Sequence, residues 1–98
     1  MGVKMIKFEW NPEKDSLNRN KHGISFEEAK TVFYDEKAVM IHDPEHSIDE
    51  ERFIMLGVSV VSRIIVVVHC YREEDKIIRI ISARKATKKE STQYRGGL

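Results

Sequence analysis

Three runs rich in Ile and Val, Arg52 to Val60, Arg63 to Arg72 and Lys76 to Ala83, fill most of the second half of the chain. They are separated only by Val61-Ser62 and by Glu73-Glu74-Asp75. Breaks this short leave room for a hairpin and not for a crossover helix, so the runs predict successive antiparallel strands. Upstream, Met5 to Trp10 alternates in its middle and reads as a short strand. Asn11 as N-cap and Pro12 as first helical residue predict a helix to about His22, which Gly23 ends in a left-handed conformation. Ser25 and Glu28 form a capping box, with Ile24 and Ala29 as a hydrophobic staple, for a helix through about Tyr34. Its apolar face is Phe26, Ala29, Val32 and Phe33. Lys37 to His42 reads as a strand, followed by the Asp43-Pro44 turn and an acidic loop to about Glu51. Thr87 and Glu90 make a further capping box, for a last helix to about Tyr94.

The resulting order, β-α-α-β-β-β-β-α, predicts an α+β fold: two N-terminal helices packed on one face of a mostly antiparallel sheet, with the opposite face open. A length of 98 residues fits a single domain over 1–98, its ends at 1–4 and 95–98 frayed. The longest apolar run, Ile64 to Val68, is too short to span a membrane, and Met1 to Ile6 lacks an apolar signal region, so the expected compartment is the cytoplasm. The lone Cys70 excludes an internal disulfide and a multi-thiolate metal site, and within an apolar strand it reads as a small core residue. His42, Asp43 and His46 lie around a turn with no second cluster, so neither a metal nor another cofactor is expected. Trp10, Phe26 and Phe33 read as core or partner contacts.

Charge is concentrated. Lys76 to Leu98 holds seven Lys and Arg against one acid, Glu90, while the whole chain carries only +1. Residues 1–49 hold seven bases and ten acids, residues 50–98 ten bases and six acids. A basic working face beside an acidic remainder fits a polyanionic ligand or an acidic partner. Lys88 and Lys89 fall in the first turn of the last helix, where cations oppose the helix dipole, and a phosphate bound there resolves the conflict.

Several motifs recur together in a known family: Phe8-Glu-Trp-Asn-Pro, Lys21-His-Gly-Ile-Ser-Phe-Glu-Glu-Ala29, Glu50-Glu-Arg-Phe53 with Leu56-Gly57, Val66-Val-Val-His69, and Arg79-Ile-Ile-Ser-Ala-Arg-Lys-Ala-Thr87. In order and spacing, from about Lys7 to Tyr94, the chain resembles the BrnT family of bacterial toxins. The resemblance implies a RelE-like fold and a type II toxin that cuts RNA and halts translation. It also implies neutralisation by a BrnA-type antitoxin whose ribbon-helix-helix region binds operator DNA, so that this chain meets DNA only through its partner. Ile77 departs from the pattern, which leads one to expect a basic residue there.

Metal-independent RNA cleavage requires a base for the ribose 2′-hydroxyl, cations for the charge developing on phosphorus and an acid for the leaving 5′-oxygen. Arg79 and Arg84 are candidates for the cations; the bland readings are solvated arginines on the sheet face and at a strand end. His69 is a candidate for proton transfer, or else a hydrogen-bonded core histidine. A three-residue loop, Glu73 to Asp75, puts it across from Arg79, a two-residue loop across from Ile80. Glu51 and Arg52 are candidates as base and phosphate clamp, or a surface ion pair. His22, Lys85, Lys88, Lys89 and Tyr94 are candidate RNA contacts, with helix capping for His22 and core packing for Tyr94 as alternatives. The competing functional readings are a noncatalytic RNA- or partner-binding module and a metal nuclease.

Overall fold

The computed structural model describes residues 6–43 and 50–96. In chain order the elements are β1 (Lys7–Glu9), α1 (Pro12–His22), α2 (Phe26–Thr31) running into a 3-10 turn (Val32–Tyr34), β2 (Val39–Asp43), β3 (Arg52–Val58), β4 (Ile64–Arg72), β5 (Ile77–Lys85) and α3 (Lys88–Tyr94). The order expected from sequence holds, and so do the caps. The Asn11 side chain accepts from the Glu13 amide at 2.8 Å, Gly23 adopts φ 70°, and Thr87 with Glu90 forms a complete capping box. At α2 the expected box forms only by half. Ser25 Oγ accepts from the Glu28 amide at 3.1 Å, but the Glu28 carboxylate turns away to take a paired contact from Arg63 (2.6 and 2.7 Å) and a hydroxyl from Ser59 (2.7 Å). A bidentate guanidinium outcompetes a single backbone N–H. The Pro44 turn, most of the acidic loop and the outermost residues of both termini lie outside the described residues.

The five strands form one sheet in the order β1-β5-β4-β3-β2. Three contacts are antiparallel, as the short breaks require, but β1 joins β5 in parallel, with Glu9 beside Arg79. The sheet is therefore mixed. The last hairpin pairs Arg72 with Ile77 across a four-residue loop in which Glu73, Glu74 and Asp75 all have positive φ (50°, 57° and 68°). A bulge between Val68 and His69 then shifts the register, so that Val68 faces Ser82 and His69 faces Ile80.

Alternation sorts the strands into two faces. One carries Met55, Ile65, Val67, Ile80 and Ala83 against Ile24, Phe26, Ala29 and Val32 of the helices, and this is the core. Phe26 is fully buried, and Trp10 and Phe33 pack against the cluster. Gly57 is required here: a β-carbon would meet Val32 Cγ1 at 2.9 Å and Ala38 Cβ at 3.0 Å. Buried Asn18 of α1 stitches the helix to β5, donating to the Ala83 carbonyl at 2.8 Å and accepting from the Ala83 amide at 3.1 Å. The second face is only partly open. α3 packs on it against β3, and Leu56, Val66 and Cys70 of this face are all buried.

Candidate functional site

The second face carries two arginine–carboxylate centres. At one end, register sets Asp43 beside Arg52, Cys70 beside Arg79 and Arg79 beside Glu9, while Arg52 lies one step beyond the Phe53–His69 pair and so beside Cys70. This is one residue from each of the five strands, in a row. Arg79 Nη1 donates to Glu9 Oε2 at 2.8 Å, and Arg72 Nε lies 3.4 Å from the same oxygen. Glu9 and Arg79 keep about a third of their side-chain surface (35% and 32%), enough for a ligand to reach both. The next row is Lys7, Ile77 and Arg72, so the apolar residue that departs from the family pattern has a cation on each side.

Arg52 Nε stands 3.9 Å from Glu50 Oε1. Burial pushes the Cys70 thiol up, and Glu50 beside it adds to the shift, so the sulfur stays protonated at neutral pH and is a poor nucleophile.

Arg84, on the same face, lies about 13 Å away by strand rise, four residues along β4 from Cys70 to Val66. Its guanidinium makes a two-pronged contact with Glu90 (2.8 and 2.9 Å) and donates to the Lys85 carbonyl at 3.2 Å. Glu90 also accepts from the Thr87 amide at 2.8 Å. The Arg84 hydrogen bonds hold the Glu90 carboxyl down at about 2. The anion that offsets Lys88 and Lys89 at the start of α3 is thus Glu90 itself. Lys85, Lys88 and Lys89 are exposed around it. At the other end of α3, Tyr94 Oη donates to Asp35 Oδ2 at 2.5 Å, which pins the helix to the segment before β2.

His69 goes to the other face. It is fully buried among Phe33, Tyr71 and Phe53, with ring centroids 4.7, 5.3 and 6.1 Å away. Nδ1 lies 3.2 Å from the Val67 carbonyl, where only an N–H is satisfied, and Nε2 faces the Tyr71 hydroxyl at 3.3 Å. Burial lowers its pKa to about 4. The imidazole is neutral, and the sheet stands between it and both arginine centres. The four-residue loop sets it across from Ile80, not Arg79, and the bulge lies beyond it, towards Val68.

Glu51 is also displaced from Arg79: 75% exposed, it lies 3.3 Å from His42 Nε2 near the β2 edge. His22 ends α1 beside a shallow hollow of about 260 Å³ that it shares with Lys21 and Ser82. The sheet therefore brings Arg52 and Arg79 together and sets Arg84, Glu51, His22 and His69 apart from them. Glu9 in that row, with Arg72 and Glu50 close by, completes the cluster, and none of the three is among the site candidates drawn from sequence. Glu9 stands within a quoted motif, but only the parallel β1–β5 contact reveals its partner.

Among the described residues no three His, Cys, Asp or Glu side chains converge as a metal site, His46 lying outside them, and no helix is long and apolar enough to cross a membrane.

A family profile described as the ribonuclease toxin, BrnT, of type II toxin-antitoxin systems matches residues 10–90. The crystal structure of the Brucella abortus ribonuclease toxin BrnT is similar in fold, with a TM-score of 0.66 and 22% identity over 86% of this chain and 100% of that one. A search of curated proteins returns no match.

Proposed function

Since the chain belongs to the BrnT family of ribonuclease toxins of type II toxin-antitoxin systems, we propose that it cuts RNA at the Glu9–Arg79 end of the second sheet face, without a metal. The carrying observation is the Glu9 carboxylate within reach of both Arg79 and Arg72. Two guanidiniums suit a phosphodiester, each offering forked donors to its oxygens. A phosphate that draws them off Glu9 leaves the carboxylate free to take the proton of the ribose 2′-hydroxyl. The 2′-oxygen attacks phosphorus and the bond to the 5′-oxygen breaks. The leaving oxygen takes its proton from solvent, and the product is a 2′,3′-cyclic phosphate. Arg79 and Arg72 stabilise the charge that builds on the phosphoryl oxygens, Arg52 and Lys7 extend the cationic track, and the Lys88-Lys89 cluster holds the RNA backbone beyond it.

In this reading Arg84 positions α3 and does not touch the reacting phosphate. Cleavage of cellular RNA in the cytoplasm halts translation, and a BrnA-type antitoxin with a ribbon-helix-helix region restrains it and carries the pair to operator DNA.

The test is incubation of RNA with the purified protein in EDTA. Cutting with cyclic-phosphate ends, lost in Glu9→Gln and Arg79→Ala but retained in His42→Ala, supports this reading. Loss of cutting in EDTA points to a metal nuclease, and binding without product points to a noncatalytic module.

A further inference from the structure

The two edges of the sheet differ in a way that RNA cutting does not use. β1 is three residues long and carries Lys7 and Glu9, and charged short strands discourage pairing with other chains. β2 carries Val39, Met40 and Ile41, which keep 41%, 49% and 47% of their surface exposed, and it forms the outer strand of the sheet. No Lys, Arg or Pro interrupts it. An edge this apolar is a template for a further strand.

Beside it, on the helix-side face, lies an open hollow of about 620 Å³. Met40, Phe53 and Tyr71 form its floor and Glu51 and Asp75 its acidic rim, while Glu50, also in its lining, turns its carboxylate towards Cys70 and Arg52 on the other face. The floor takes an apolar or aromatic side chain and the rim takes cations. β2 offers no Lys or Arg of its own, so a second copy pairing through this strand brings none from it to the rim.

We infer that β2 is the docking edge for an extended segment of the antitoxin, which adds to the sheet as a sixth strand. Its side chains alternate, an apolar one entering the hollow over Met40 and Phe53 and Lys or Arg residues pairing with the rim. Backbone hydrogen bonds supply affinity, and the hollow with the Glu51 and Asp75 carboxylates supplies selection. The inference rests on the reading of this chain as the toxin of a type II pair. It places the docking edge next to the Asp43–Arg52 end of the row that the proposed chemistry uses.

Hydrogen exchange on the full chain, alone and with the protein encoded by the neighbouring gene, tests it. Amides 39–43 gain protection in the complex and those of 7–9 do not. Met40→Lys, which puts a cation on the floor, weakens the complex by about tenfold or more, while Val60→Lys, at the tip of the β3–β4 hairpin, leaves it unchanged. If Met40→Lys fails to fold, the exchange experiment on the unaltered chain still decides. A complex that leaves amides 39–43 unprotected overturns the inference, as does protection of those amides in the free protein with the mass of a dimer. RNA cutting plays no part in either readout, so failure of the proposed chemistry is seen separately.

Discussion

The two arginine–carboxylate centres share one face of one sheet, yet they are built for different work. Arg84 and Glu90 are six residues apart, joined at two points, and Glu90 also caps its own helix. Arg79 and Glu9 are seventy residues apart, joined at one point, and Glu9 is also in reach of Arg72. A carboxylate that satisfies both prongs of one guanidinium and a helix terminus is spent on local order. One held singly between two partly exposed arginines can exchange those contacts for a phosphate. Arg84, which the sequence offers alongside Arg79 as a cation for the phosphate, is therefore the better candidate for a structural brace. The least conspicuous acid, Glu9, sits where chemistry is available.

Removing one residue from each centre, with both cutting and stability measured, separates the two roles. Arg79→Ala is expected to lower kcat/KM on RNA by about 10²–10³-fold, the usual cost of losing a donor aimed at developing charge. Because that ion pair is partly exposed, the fall in stability is expected to stay below about 1 kcal/mol. Equal losses of cutting in Arg79→Ala and Arg84→Ala, both folded, would erase the distinction.

A second prediction concerns which face works. The folded-state pKa of His69 is lowered to about 4 from 6.5 by burial. The unfolded chain thus binds more protons between those values, and the stability that His69 contributes is complete above about pH 6.5 and lost as pH falls towards 4. At 1.36 kcal/mol per unit, the loss is bounded at roughly 3 kcal/mol. Denaturant midpoints measured across that window should fall for the unaltered chain and flatten in His69→Phe. RNA cutting above pH 6.5 should survive that substitution, provided the protein folds. If it abolishes cutting while leaving the fold intact, the helix-side face must be reconsidered.

How much of this is legible in sequence depends on the range of the interactions. Caps at Asn11, Ser25 and Thr87 are decided within three residues and are read correctly, as are the strand runs, whose short breaks admit few topologies. The failures are long-range or subtractive. Glu28 leaves its capping box because Arg63, thirty-five residues on, is a better partner. The β1–β5 contact joins the two ends of the chain, and no local pattern announces it. His69 changes face relative to Arg79 according to a hairpin loop of three residues or four, and three consecutive residues with positive φ, none of them glycine, are not something composition foretells. Glu90 is visible as a capping residue, but its second role as Arg84's anion appears only once the strand end and the helix are placed together.

Within the brace itself, Glu90→Gln should cost about 1.5–3 kcal/mol, the range for hydrogen bonds to charged groups. Its acid limb lies elsewhere from that of His69. A folded pKa near 2 against 4.5 means that Glu90 contributes above about pH 4.5 and loses that contribution as pH falls towards 2. Unfolding curves below pH 4.5 should therefore be shallower in Glu90→Gln, while the limb between pH 6.5 and 4 is unchanged. A variant that flattens both limbs would mean that the two faces are coupled.

The smallest effect is expected at the far end of α3. Tyr94 Oη donates to an Asp35 carboxylate that burial pushes up and that bonds from Tyr94, Val58 and Lys37 bring below its usual value. Tyr94→Phe removes one charge-assisted donor and keeps the ring, and Asp35 retains its backbone bonds to Val58 and Lys37. The cost should be about 1 kcal/mol or slightly more. A loosened α3 still has the Arg84–Glu90 clasp at its start, so exchange should quicken in the last turn of the helix and not in β5. Cutting at the Arg79 centre, beyond the reach of α3, should then change less than about twofold, since surface changes away from a site are usually within 0.5 kcal/mol. A larger loss of cutting in Tyr94→Phe, with Arg79 and Glu9 intact, would mean that the phenol meets the RNA directly.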